Sequence, residues 1–85
     1  MGSVKVIPNP SHGIYDIRYT INDMRIVSLR VFNIHGKKII TLVNEEQAAG
    51  KYSVHFDAAD LPGGIYFIRL QAGDRVETKK MILLR

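Results

Sequence analysis

Three histidines, His12, His35 and His55, are the side chains here that could bind a transition metal or move a proton near neutral pH. Their spacing fits no ligand pattern: His12 and His35 fall in turn-like segments, and His55 lies on the polar face of an alternating stretch. Ordinary surface imidazoles account for them better. Asp57 and Asp60, joined by Asp16 or Asp23, offer oxygens for calcium, but aspartates in turns more often bond their own backbone. Ser11 beside His12 has neither a nucleophile elbow nor an orienting acid, so nothing points to acyl transfer. Gly63 and Gly64 follow a proline and precede a strand instead of a helix, unlike a phosphate loop. Tyr15, Tyr19, Tyr52, Phe32, Phe56 and Phe67 would form a stacking platform for sugars or single strands if they shared an exposed face. Most of them alternate into core positions. The expectation is a non-enzyme with no catalytic residue, cofactor or metal.

The totals agree with a small passive module. Eighty-five residues support one domain, and a chain of that size buries only about 60 to 65 per cent of its unfolded surface. With 46% hydrophobic and 24% charged residues the chain is globular. It has no cysteine, so apolar packing must hold it without disulfides or thiolate metal sites. The net charge of +4 is spread through the strands instead of forming a basic run, which argues against nucleic acid. No apolar run is long enough for a membrane-spanning helix. Met1, Gly2 and Ser3 read as a cloning remnant, and residues 4–85 as a single domain cut from a longer protein whose targeting signal lay upstream.

The elements that must position any site are strands. Val4 to Ile7 is a short first strand, stopped by Pro8, Asn9 and Pro10. Ile14 to Ile21 alternates with Tyr15, Ile17, Tyr19 and Ile21 on one face. After a turn at Asn22 to Arg25, Ile26 to Ile34 puts Val27, Leu29 and Val31 inward. His35 and Gly36 punctuate a hairpin into Lys37 to Val43. Asn44 to Gly50 is polar and small, and reads as a turn or one helical turn with Glu45 and Glu46 solvated. Lys51 to Phe56 alternates again, with Tyr52, Val54 and Phe56 opposed to Lys51, Ser53 and His55. The last 25 residues, from Leu61 to Arg85, form a C-terminal hairpin that organises the rest. Its first strand, Ile65 to Gln71, faces Tyr66, Ile68 and Leu70 inward, and Ala72, Gly73 and Asp74 turn it into Arg75 to Leu84. There Lys79 and Lys80 point to opposite faces, and Met81 to Leu84 places apolar side chains on both. Such a strand either fills a core on both sides or presents apolar surface to a partner.

Seven strands with turns every 8 to 12 residues predict an all-β, seven-stranded antiparallel sandwich of the immunoglobulin or fibronectin kind. Leu61, Pro62, Gly63, Gly64 and Tyr66 resemble the tyrosine corner of those sandwiches, in which the hydroxyl bonds to backbone a few residues upstream. The last strand is then expected beside the sixth, at or near a sheet edge able to accept another chain.

At Pro8, Asn9 and Pro10, at Leu29 to Lys38 (LRVFNIHGKK), at Glu46 to Phe56 (EQAAGKYSVHF) and at Asp60 to Arg85, the chain resembles the C-terminal sorting domain, type A, of type IX secretion cargo. The resemblance runs over nearly the whole chain from Val4. Each motif alone is common, whereas their order and the basic-then-aliphatic ending are specific. It implies a passenger signal on secreted enzymes and adhesins of Bacteroidetes: cargo enters the periplasm by a general secretion signal, and this domain directs it through the outer-membrane translocon. A sortase-like protease then removes the domain, leaving cargo on the surface or in the medium. The implied partners are translocon, protease and the parent cargo domain on the N-terminal side, with cleavage at or before Val4. The family's motifs fall on Pro8, Asn9 and Pro10, on Gly36 with Lys37, and on Leu61, Gly64 and Tyr66, which serve turns and packing. Lys79, Lys80, Met81, Ile82, Leu83, Leu84 and Arg85 are the residues expected to be read by the translocon. An exposed final strand would also allow a homodimer through its edge. Two other readings compete: an accessory carbohydrate-binding or fibronectin-like module, which requires an exposed aromatic patch, and an assembly module resembling the immunoglobulin-like part of flagellar hook-capping proteins.

Overall fold

A computed structural model describes residues 4–8 and 13–84. Its elements are β1 (Lys5–Pro8), β2 (Ile14–Ile21), β3 (Arg25–Asn33), β4 (Lys38–Gln47), β5 (Gly50–Asp57), β6 (Gly64–Ala72) and β7 (Arg75–Leu83). All pairings are antiparallel. A three-stranded sheet runs in the order β1-β2-β5 and a four-stranded sheet in the order β4-β3-β6-β7.

Strict alternation builds the core from both sheets. Tyr15, Ile17, Tyr19 and Ile21 of β2 are buried against Val27, Leu29 and Val31 of β3 and Tyr66, Ile68 and Leu70 of β6. All these inward rows are the ones the sequence predicts, since period-two side chains can share only one face. Each fully buried aliphatic side chain is worth about 1.5–3 kcal/mol relative to exposure. That interior holds the two sheets together in a chain with no cysteine.

Two expectations are corrected. Asn44 to Gln47 is neither a turn nor a helical turn, because these residues continue β4 and pair with Arg25 to Ser28 of β3. Polar composition hid the strand. Gln47 points inward, is 8% exposed, and accepts a hydrogen bond from the Tyr19 hydroxyl at 2.9 Å. Pro8 does not stop β1 but ends it in register with Tyr15, at an edge strand where a missing N–H is tolerated. Asn9 and Pro10 lie outside the described residues, as do Ser11, His12 and Arg85.

The turns follow from side chains. In the β3–β4 connection the Asn33 side-chain oxygen accepts from the His35 and Lys37 amides, at 2.9 and 3.0 Å, while Gly36 takes φ 80°. The β6–β7 loop has Gly73 at φ 60° followed by an Asp74 without positive φ, the pattern of a type II′ hairpin with glycine first.

Candidate functional site

Strand β7 lies at the edge of the four-stranded sheet, paired on one side with β6. Its two faces differ along its length. On the core side Arg75 and Glu77 come first, and charged residues pointing inward on an edge strand need partners. They have them: Arg75 and Glu77 form an ion pair, the Arg75 guanidinium donates to the Thr20 carbonyl at 2.9 Å, and Glu77 accepts from the Val4 amide at 3.3 Å. These bonds tie the start of β7 to the opposite sheet. Further along the same face, Met81 and Leu83 are 3% and 2% exposed.

The outward face behaves differently. Ile82 is 54% exposed and Leu84 82%. Lys79 stands opposite Ile68 on the core side but is exposed, and Lys80 stands opposite Phe67 on the outer side. Of the two outcomes left open for an apolar run on both faces, the structure selects presentation: half the aliphatics are core and half face solvent. In a two-residue hairpin the residues flanking the loop exchange both backbone bonds, so the odd-numbered positions of β7 bond to β6 and the even-numbered ones turn their amides and carbonyls to the edge. Ile82 therefore turns its amide to the edge and its side chain to solvent, while its carbonyl accepts from within the chain. Its carbonyl oxygen lies 3.5 Å from the Tyr15 hydroxyl.

The motif residues, far apart in sequence, converge on the end of the sandwich where β7 finishes. Gly64 is opposite Leu83 and Tyr66 opposite Met81. Asn33, which holds the Gly36 turn, is opposite Tyr66. Pro8 is opposite Tyr15, whose hydroxyl reaches toward Ile82. The Tyr66 hydroxyl donates to the Pro62 carbonyl at 2.6 Å, the bond that the Leu61 to Tyr66 pattern predicts, and Leu61 packs against the core. Gly64 has φ 149°, so a side chain there would strain the entry to β6. These residues shape the end of the sandwich, while among the described residues of the terminal group Lys79, Lys80, Ile82 and Leu84 are the exposed ones.

Among the described residues, the chemistry-bearing candidates have local partners of their own. Asp57 accepts from the Ala59 amide at 2.9 Å, a turn bond of the expected kind, and His55 pairs with Asp16 at 2.5 Å on the exposed face of the three-stranded sheet. Tyr15, Tyr19 and Phe56 are buried, and Tyr52 stacks on Tyr19 with centroids 5.4 Å apart. Burial pushes the Tyr19 hydroxyl above the ordinary phenolic value of 10.0. Phe32 and Phe67 are half-buried on the outer face of the four-stranded sheet. Sequence reasoning missed the roles of Glu77 and Arg75, whose inward direction follows from the parity of β7 but whose partners lie in distant strands.

Residues 5–84 match the family model described as the secretion system C-terminal sorting domain. No curated protein matches the chain.

Proposed function

The chain belongs to the family of C-terminal sorting domains of type IX secretion cargo, and from that premise we propose that the exposed half of β7 is what the outer-membrane translocon reads. A sorting tail of this family serves export of the cargo on its N-terminal side toward the cell surface or the medium. In the proposed mechanism cargo reaches the periplasm first, the folded domain is presented there, and Ile82 and Leu84 supply apolar contact while Lys79 and Lys80 set charge. Arg85 would extend the same contact. The carrying observation is the split along the chain's end: Met81 and Leu83 are committed to the core, whereas Ile82 and Leu84 stand exposed beside them at the last strand of the sheet. A receptor strand can pair with that edge and take the two side chains into pockets.

The domain is proposed to be non-catalytic, with a sortase-like protease removing it at or before Val4. The sheet orders β1-β2-β5 and β4-β3-β6-β7 and the Tyr66 to Pro62 bond support an immunoglobulin or fibronectin-like assignment. A homodimer, if formed, would use the same edge of β7. A carbohydrate-binding module would require an aromatic platform, and the two outward phenylalanines are half-buried, with the Arg69 guanidinium 4.7 Å from the centre of the Phe32 ring.

The test is an export assay. Residues 4–85 are fused behind a periplasmically targeted fluorescent protein in a bacterium with a working type IX system and compared with Ile82→Asp/Leu84→Asp. Both changes are at exposed positions, so folding should survive. Reporter outside the cell with the native tail, and periplasmic retention of the folded variant, is the expected result. Export of both would remove the role given to the exposed half of β7, and retention of both would remove the sorting reading altogether.

A further inference from the structure

The outer face of the four-stranded sheet carries a wider surface, away from the core, that shares Lys80 and Ile82 with the strand proposed to be read but centres on two arginines of β3 and β6. Cross-strand partners point to the same face, so the register defines its rows. One row is Thr41, Arg30, Arg69 and Thr78, and the next is Lys38, Phe32, Phe67 and Lys80. Beyond the second row stand Ile65 and Ile82 as a cross-strand pair, 39% and 54% exposed. Among the described residues no carboxylate stands in any of these rows.

Arg30 and Arg69 are directly opposite one another. Like charges in that position destabilise a sheet unless something neutralises them. Neither takes part in an ion pair among the described residues, where the ion pairs join Asp16, Asp23 and Glu77 to other cations. Arg69 lies over the Phe32 ring, which orients it without neutralising it. The Arg30 Nε is buried with no hydrogen-bond partner, a cost ordinarily met by an acceptor. Two guanidiniums flanked by two threonine hydroxyls make a row of donors, and beside it Phe32, Phe67, Ile65 and Ile82 make an apolar strip with a lysine at each end of the phenylalanine row.

We propose that this face is a docking surface for an extended acidic segment of a partner protein, one whose every second residue, the set that faces the sheet, is carboxylate and apolar in turn. Carboxylates accept in pairs from guanidinium forks, and alternate residues of an extended chain repeat about every 6.8 Å, close to the separation of adjacent same-face rows. A sulfated or phosphorylated polymer would satisfy the cations but leave the phenylalanines and isoleucines wet. The acidic peptide satisfies both.

The test titrates the 85-residue chain with a labelled ten-residue peptide that carries Glu and then Phe or Leu in turn at every second position, with Ser between them, its Gln counterpart, and heparin, each followed by anisotropy. The expected result is binding of the Glu peptide at least about tenfold tighter than the Gln peptide and weakening with salt. Arg30→Gln/Arg69→Gln should lose about tenfold or more, and Lys5→Gln/Lys51→Gln on the other sheet should change nothing. If the double variant does not fold, Arg69→Gln alone, at an exposed position, reports the same loss. No binding of the Glu peptide, equal binding of the Gln peptide, indifference to the arginine changes, sensitivity to the Lys5/Lys51 control, or tighter arginine-dependent binding of heparin would each overturn the proposal.

Discussion

Two tyrosines show how one hydroxyl can decide local order. Tyr66 donates to the Pro62 carbonyl and so fixes the approach of the chain to β6. Tyr66→Phe keeps the ring and removes that bond, and it is expected to cost about 1 kcal/mol, read as a lower thermal midpoint. Tyr19 donates to Gln47 from within the core, and burial holds its proton above pH 10.0. Its folded pKa is raised, so its contribution is fully present below the unfolded value near 10 and is lost as pH rises through the folded value. In alkaline titration the native chain should therefore lose stability above about pH 10, and Tyr19→Phe should flatten that part of the curve. An unchanged alkaline slope in the variant would show that Tyr19 does not carry the effect.

At the scale of the element, β7 is one strand with two tasks. Truncating Met81 to Ala should destabilise the fold by about 2–5 kcal/mol, the range for a buried side chain leaving a cavity. Ile82→Ala or Leu84→Ala should stay within about 0.5 kcal/mol, as exposed positions usually do. Urea unfolding measures both, and a large cost at Ile82 would mean that its outward face is not free in solution. The alternation of Met81, Ile82, Leu83 and Leu84 is legible in the sequence as two faces. Which face goes inward is not, because period two fixes parity and leaves its sign open. The sign comes from the register with β6, where Tyr66 and Ile68 already face the core.

For the whole molecule, the consequence is that β7 cannot be deleted without touching the fold. Removing residues 79–85 takes away Met81 and Leu83 and leaves the start of β6 unpaired. That loss rivals the entire stability of about 5–12 kcal/mol expected for a domain of this size. The truncated chain should show no cooperative unfolding by circular dichroism, and failure of its export would report misfolding as readily as lost recognition. A cooperative transition near that of the intact chain would refute this. Point changes at Ile82 and Leu84 avoid the confusion. The pairings of β2 with β5 and of β3 with β6 join segments far apart in sequence, so folding is expected on the millisecond-to-second scale of sheet proteins, checked by stopped-flow refolding.

Alternation and turn residues determined the seven strands, the inward rows of β2, β3, β5 and β6, and the Tyr66 bond, because these follow from local chain geometry and short-range hydrogen bonds. The polar run at Asn44 to Gln47 could not be read as strand, since its pairing with β3 and the inward Gln47 exist only once Tyr19 stands opposite. The motif residues Pro8, Gly36, Leu61, Gly64 and Tyr66 were recognisable one by one. Only the tertiary structure gathers them around the end of β7 and sets Arg30 against Arg69, because strand order and register are decided by which apolar faces meet, and that choice is made by the whole core at once.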